Sequence, residues 1–67
     1  MEAHQQRVVD EKTELDEKLD KLNSFIESNP IFGELPNAEK DRLNRQEVYM
    51  SLYSKVLGER IEAFLIP

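Results

Sequence analysis

The residues best suited to chemistry in this chain are a few cations and one tyrosine, and they indicate binding rather than catalysis. The sequence contains no cysteine, and its single histidine is His4. A nucleophile–histidine catalytic set would have to be built around a residue at a fraying terminus. The two glycines lie far apart, which excludes a phosphate-binding loop. We therefore expect no enzyme activity, no metal site and no cofactor.

Polar residues from the two halves of the chain are expected to meet. If the chain forms an antiparallel hairpin that turns near residue 33, positions whose numbers add up to about 66 lie side by side. Arginine clamps phosphate through paired N–H donors, and tyrosine stacks on a nucleobase. The pairing therefore predicts a pocket for a small phosphorylated ligand. Its ligand-binding candidates are Arg7, Lys12, Tyr53, Ser54 and Arg60.

The same residues allow a purely structural interpretation. A salt bridge between Glu11 and Arg60 would join the two helices, while the Lys12 stem and the Tyr53 ring pack against the helix surface. A second cationic surface, with Arg42, Arg45 and Tyr49 at positions i, i+3 and i+7, has an ordinary exposed helix face as its simpler explanation. The sequence leaves the pocket and the structural network open as alternatives.

The composition of the chain limits the classes of partner that it can bind. With 14 acidic and 9 basic residues the net charge is −5, which argues against binding of duplex nucleic acid. No apolar run is long enough to span a membrane, and the N-terminus lacks a signal-peptide core, so a cytoplasmic protein is expected. A single domain over 1–67 buries only about 60% of its unfolded surface. Without a disulfide or a metal, self-association is the remaining way to stabilise it.

Two long helices must position these residues. Helix-forming residues over about 3–28 carry a coiled-coil seam that is interrupted at Lys12. Pro and Gly predict a loop over 29–37, and Asn37 is a suitable N-cap for a second helix over about 38–64. The fold class is therefore all-α, an antiparallel two-helix hairpin. The seam of the first helix consists of Val8, Leu15, Leu19, Leu22 and Ile26.

The second helix carries two apolar stripes. One of them, which includes Tyr53 and Leu57, can face the first helix. Nothing in a single chain covers the other, and an exposed apolar strip is typical of an interface. We therefore expect a homo-oligomeric helical bundle, with Gly58 allowing a second backbone to approach closely. The predicted oligomer interface consists of Val48, Leu52, Val56, Leu65 and Ile66.

Three stretches, "HQQRVVDEKTELDEKLDKL", "FGELPNAEKDRLNRQ" and "YSKVLGERIEAF", give nearly the whole chain a family resemblance. The sequence resembles a family of very small proteins of tailed phages that are labelled as related to a crAss-like phage protein. The stretch over 53–61 is the most specific part. The resemblance implies a phage origin and carries no activity. In size and build the chain is also similar to phage sponge proteins, small helical hairpins that oligomerise and trap cyclic nucleotide signals.

Two function hypotheses follow. The first is a phage counter-defence protein in the host cytoplasm that sequesters a small phosphorylated signal, a cyclic oligonucleotide, without catalysis. The alternative is a protein-binding module, such as a phage inhibitor or assembly adaptor. It would dock on a host or phage protein through its apolar helix face.

Overall fold

A computed structural model describes residues 1–66; Pro67, the last position of the predicted domain, lies outside them. The described residues form three helices and no strand: α1 (Ala3–Ser28), α2 (Pro30–Glu34) and α3 (Asn37–Leu65). The all-α fold class is therefore confirmed. The long helices α1 and α3 pack against each other and form a rod 49 Å long and 15 Å across. Assembly into an oligomer stays a prediction.

The contact between α1 and α3 is a thin apolar seam. Leu57 is fully buried and Val8 is 7% exposed, and these are the only buried apolar side chains among residues 1–66. Tyr53, which the sequence places in this seam, is instead 45% exposed. Two helices can bury only one stripe each against the other, so the flanks stay in water. The half-buried members of the seam are Leu15, Leu19, Leu22, Ile26, Leu43, Met50, Ile61 and Phe64.

The connection contains a short helix where the sequence predicts a loop over 29–37. The Asn29 side chain accepts a hydrogen bond of 2.9 Å from the backbone N–H of Ile31. Pro30 occupies the first helical position, where a missing N–H costs nothing and the fixed φ favours a helix. The predicted loop is therefore wrong at Pro30–Glu34, because this proline begins a helix instead of preventing one.

One aromatic pair fixes α2 against α1. The rings of Phe25 and Phe32 meet edge to face, with their centroids 6.0 Å apart, a favoured arrangement for aromatic side chains. Leu35 is also half-buried, whereas Ile31 points into water with 56% of its surface exposed. The apolar residues of the connection thus close this end of the hairpin only in part.

The start of α3 differs from the prediction by one residue. Pro36, not Asn37, is the N-cap, and its carbonyl accepts hydrogen bonds of 3.0 Å from the backbone N–H groups of Glu39 and Lys40. Glu39 lies in the first turn, where a carboxylate stabilises the helix dipole. None of the helices formed by residues 1–66 is long and apolar enough to cross a membrane.

Candidate functional site

A closed ring of three polar side chains connects the middle of α1 to α3. The ammonium group of Lys12 donates to Ser54 Oγ at 2.8 Å and to Asp16 Oδ2 at 2.9 Å. The Ser54 hydroxyl in turn donates a short hydrogen bond to Asp16 Oδ1. Ser54 is only 7% exposed, so its hydroxyl would lose water without these partners. We call Lys12, Asp16 and Ser54 the polar ring.

The polar ring lowers the pKa of Asp16. The hydrogen bond from Ser54 is the larger cause and the one from Lys12 the second, since both stabilise the ionised carboxylate. Partial burial acts in the opposite direction and is outweighed. The aspartate therefore stays charged well into the acidic range, and Lys12 keeps its counter-ion.

The polar ring explains why the apolar seam of α1 is interrupted at Lys12. This side chain is 30% exposed and reaches the side of α3 rather than water. A Cβ added at Gly58 would lie 3.5 Å from Lys12 Cε, an ordinary van der Waals contact. Within the single chain Gly58 therefore meets a side chain of the neighbouring helix, and the approach of a backbone from another copy stays a prediction.

The other three ligand-binding candidates lie on the opposite flank of the hairpin. Arg7 and Arg60 are exposed, and Tyr53 is 45% exposed. Among residues 1–66, neither arginine makes a salt bridge or a side-chain hydrogen bond. We call Arg7, Tyr53 and Arg60 the arginine flank.

Rotation around the helices separates the arginine flank from the polar ring. At about 100° per residue, Arg7 points about 140° away from Lys12 around α1. Tyr53 and Arg60 are seven positions apart and share one side of α3, whereas Ser54 points about 100° away from Tyr53. The contact of Lys12 with Ser54 sets the alignment of the two helices, and it places Arg7 and Arg60 at similar heights. The structure thus joins Lys12 to Ser54 by a hydrogen bond, and it leaves the three remaining candidates on one shared flank without hydrogen bonds between them.

The predicted salt bridge between Glu11 and Arg60 is absent from the ion pairs of residues 1–66. The second cationic surface is partly neutralised within α3 itself. Arg42 pairs with Glu39 at 2.7 Å, and Arg45 pairs with Asp41 at 2.9 Å. The arginine flank is therefore the better place for an external anion.

Sequence reasoning missed Asp16, whose carboxylate accepts a hydrogen bond from each of the other two side chains of the polar ring. A signal for it exists, because Asp16 follows Lys12 by four positions and such pairs meet on a helix surface. Pairing residues by their position along the hairpin axis could not reveal this contact. Whether Asp16 reaches Ser54 also depends on the direction in which its side chain points around α1.

The predicted oligomer interface is exposed to solvent along its whole length. Val48 and Val56 are each 49% exposed and Leu52 is 56% exposed, and Leu65 and Ile66 are more exposed still. Tyr49, which the sequence assigns to the cationic surface, borders the same strip with 64% exposure. A large apolar area thus stays uncovered in the single chain.

An open groove lies at the closed end of the hairpin, away from both clusters. No ligand-binding candidate lines it, and its cation Lys21 lies beside the acidic Asp20. It offers no cationic environment for a phosphate. Its lining residues are Asp20, Lys21, Ser24, Phe25, Ser28, Asn29 and Pro30.

Comparison with known families matches residues 2–63 to the family described as Sequestin. The chain belongs to the Sequestin family. The matched range includes the polar ring and the arginine flank, and leaves out Leu65 and Ile66 of the predicted interface. The name Sequestin is compatible with capture of a ligand. Neither the curated proteins nor the solved structures yield a match to this member.

Proposed function

We propose that this protein binds and sequesters a small phosphorylated ligand, of the cyclic oligonucleotide class, without changing it chemically. The observation that carries the proposal is the match of residues 2–63 to the Sequestin family, whose name is compatible with sequestration. The arginine flank supplies the matching chemistry. It is the only place among residues 1–66 where two arginines without a carboxylate partner share a side of the hairpin with an exposed aromatic ring.

Each member of the arginine flank has a role in this proposal. The guanidinium groups of Arg7 and Arg60 hold phosphate oxygens through charge-assisted hydrogen bonds, which are strongest when the donor is not already paired. The exposed ring of Tyr53 stacks on a base, a contact worth about 1–3 kcal/mol. A ligand that joins phosphates to bases would use all three side chains at once.

Lys12 and Ser54 take a supporting role. The Lys12 ammonium already makes two hydrogen bonds, and Asp16 places a negative charge beside it. A phosphate arriving there would have to displace that carboxylate. The polar ring instead fixes the alignment of α1 and α3, and thereby the relative position of Arg7 and Arg60 on the other flank.

Sequestration suits a short chain without a catalytic set. It requires tight binding and a sufficient amount of protein, and no bond has to form or break. In this proposal the activity takes place in an infected host cell, as the resemblance to small phage proteins implies, and removing a cyclic nucleotide signal there acts as counter-defence. In that setting the protein works in the host cytoplasm as a homo-oligomer.

Native mass spectrometry with a panel of nucleotides tests the proposal. The panel holds cyclic di- and trinucleotides, in which riboses separate the phosphates, and pyrophosphate-bridged nucleotides, in which two phosphates are adjacent. We expect a cyclic di- or trinucleotide to add its intact mass in a fixed ratio to subunits, whereas binding of the pyrophosphate-bridged class alone would contradict the proposed ligand class. Recovery of the ligand unchanged after denaturation would separate sequestration from turnover.

A matched pair of variants locates the binding. Replacing Arg7 and Arg60 by Gln should abolish binding while α-helix content and assembly stay unchanged. Replacing Lys18 and Lys21 by Gln removes the same total charge from exposed positions of α1 and should leave binding within about threefold, because only general electrostatics is affected. Equal losses in the two variants, or no binding of any nucleotide by the wild type, would contradict the proposal.

The exposed apolar strip favours a second candidate function, that of a protein-binding module. In that case Leu52 and Val56, each about half exposed, would dock on a host or phage protein instead of on another copy. Leu52→Asp and Val56→Asp would then abolish capture of one defined partner, and loss of Arg7 and Arg60 would have little effect. The opposite pattern supports sequestration.

A further inference from the structure

The exposed strip of α3 has charges of opposite sign at its two ends. Val48, Leu52 and Val56 form its centre, with exposures of 49%, 56% and 49%. At about 100° per residue, Arg45 and Glu59 both point within about 20° of the direction of Leu52. Each lies seven positions from Leu52, on opposite sides. The strip is thus apolar in the middle, with an arginine that already holds one carboxylate at one end and a glutamate at the other.

We propose that a second copy of this chain covers the strip, with the two α3 helices antiparallel and a twofold axis passing beside Leu52. An isologous contact of this kind brings every pair of residues together twice. Val48 of one copy then lies beside Val56 of the other. Arg45 lies opposite Glu59 of the other copy, and the same pair recurs at the other end.

The charges select this direction over a parallel one. In a parallel twofold pair each residue faces its own copy, so Arg45 would meet Arg45 and Glu59 would meet Glu59, and both contacts are repulsive. In the antiparallel pair both contacts are attractive. Arg45 can bind a second carboxylate while keeping Asp41 at 2.9 Å, since a guanidinium has five N–H donors.

The thin core gives the second copy a physical reason to bind. Within residues 1–66 only Val8 and Leu57 are buried apolar side chains, and helices of this kind gain most of their stability from packing. Covering the strip removes about half the surface of several large apolar side chains from water in each copy.

The pairing also completes the proposed ligand site, a step that depends on the proposed function. Tyr49, Tyr53 and Arg60 lie along one edge of the strip, and an antiparallel twofold pair keeps this edge on the same side in both copies. Tyr49 of the second copy then falls opposite residue 55, about 3 Å along the axis from Tyr53 and about 7.5 Å from Arg60. Two exposed rings, one from each copy, would flank a base near the arginine flank.

Disulfide trapping tests the register, because the natural chain has no cysteine. For helix axes about 8–10 Å apart, the two copies of residue 52 have facing Cα atoms about 5 Å apart, within reach of a disulfide. The two copies of residue 56 are offset by about 12 Å along the axis and cannot bond. We expect Leu52→Cys to form a covalent dimer under mild oxidation and Val56→Cys to stay at the level of Glu17→Cys on the far side of α1.

Two outcomes would overturn the register. Equal trapping of Leu52→Cys and Val56→Cys would indicate a parallel pair. Trapping of Leu52→Cys no better than that of the Glu17→Cys control would indicate that the strip does not meet a second copy.

Charge reversal gives an independent test by sedimentation equilibrium. Arg45→Glu alone and Glu59→Arg alone each create two repulsive contacts, and we expect each to weaken the dimer about tenfold. The double variant restores attraction and should return to within about threefold of wild type. Residues 45 and 59 are about 21 Å apart on one helix, so a rescue can arise only between copies. A double variant weaker than either single variant would rule out this pairing.

Both tests are done without ligand, so they can fail separately from the proposed function. A dimer with the proposed register that binds no nucleotide would contradict the proposed function and support the register. Nucleotide binding by a protein that forms no disulfide at residue 52 would support the proposed function and contradict the register.

Discussion

Lys12 and Ser54 are 42 positions apart in the sequence, and in the folded chain Lys12 Nζ lies 2.8 Å from Ser54 Oγ. This contact joins the two long helices at a point where the apolar seam of α1 is interrupted. Asp16 completes the ring by accepting from both side chains. Because the contact is polar and directional, it fixes both the sliding and the rotation of α1 against α3, which a uniform apolar seam leaves less defined.

Removing the Ser54 hydroxyl should destabilise the hairpin. We expect Ser54→Ala to lower the free energy of unfolding by about 1–2 kcal/mol, because Lys12 and Asp16 lose their partner on the other helix. Ser51→Ala is the matched control, since the Ser51 hydroxyl donates only to Glu47 within α3, at 3.0 Å. Urea unfolding followed by circular dichroism measures both variants. Equal effects would show that Ser54 contributes nothing beyond its local helix.

The polar ring predicts an acid-sensitive part of the stability. The pKa of Asp16 in the folded chain lies below its ordinary value of 3.8, so its contribution is complete above that pH and is lost as the pH falls through the folded pKa. Wild type should therefore exceed Asp16→Asn in stability at pH 7, and the gap should shrink as the pH falls below about 4. Urea unfolding at a series of pH values gives the gap directly.

Asp20→Asn is the control for this pH dependence. Asp20 is an exposed aspartate of the same helix that makes no side-chain hydrogen bond among residues 1–66. Its stability gap to wild type should change less with pH than that of Asp16→Asn. The same pH profile for both variants would contradict a special role for the polar ring.

Replacing Gly58 by alanine should stabilise the hairpin. The surroundings of Gly58 accept a Cβ at 3.5 Å from Lys12 Cε, and alanine is the better helix former by about 0.8–1.0 kcal/mol. We expect Gly58→Ala to raise the free energy of unfolding by about 0.5–1 kcal/mol in thermal or urea unfolding. Gly58→Leu should instead lower it, because a longer side chain displaces Lys12 from Ser54. A destabilised alanine variant would mean that another backbone approaches Gly58 after all.

Removing the charge of Glu11 tests whether the arginine flank binds the ligand, because the nucleotide affinity should then rise. Glu11 follows Arg7 by four positions, shares its side of α1, and makes no side-chain hydrogen bond or salt bridge among residues 1–66. Its charge opposes a bound phosphate, so Glu11→Gln should strengthen binding of the nucleotide found by mass spectrometry about two- to fivefold. Isothermal titration calorimetry measures the change.

Glu17→Gln is the control for that gain, because it removes the same charge from the far side of α1. Its effect on nucleotide binding should be smaller than that of Glu11→Gln. Equal gains would indicate that only the net charge matters, and unchanged binding in Glu11→Gln would place the ligand away from Arg7.

The connection between the helices shows how a local signal can be present and still be misinterpreted. Asn29 followed by Pro30 resembles a helix breaker, and it also has the form of an N-cap followed by a first helical residue. The second meaning applies here, because Phe32 finds Phe25 as a partner and the short helix gains packing. Sequence alone does not decide between these meanings, since the choice depends on a contact with another part of the chain.

The sequence by itself determined that two long helices form and that they are joined through a segment with proline and glycine. Helix propensity, apolar periodicity and the residues that interrupt it are local properties, and so is the absence of cysteine. Only the tertiary structure decided which flank each polar residue occupies. Residue numbers give the height of a side chain along the hairpin. Its direction depends on how the helices rotate against each other, and a polar contact between distant residues fixes that rotation. For this reason Lys12 and Ser54 joined Asp16, and Arg7, Tyr53 and Arg60 were left together on the other flank.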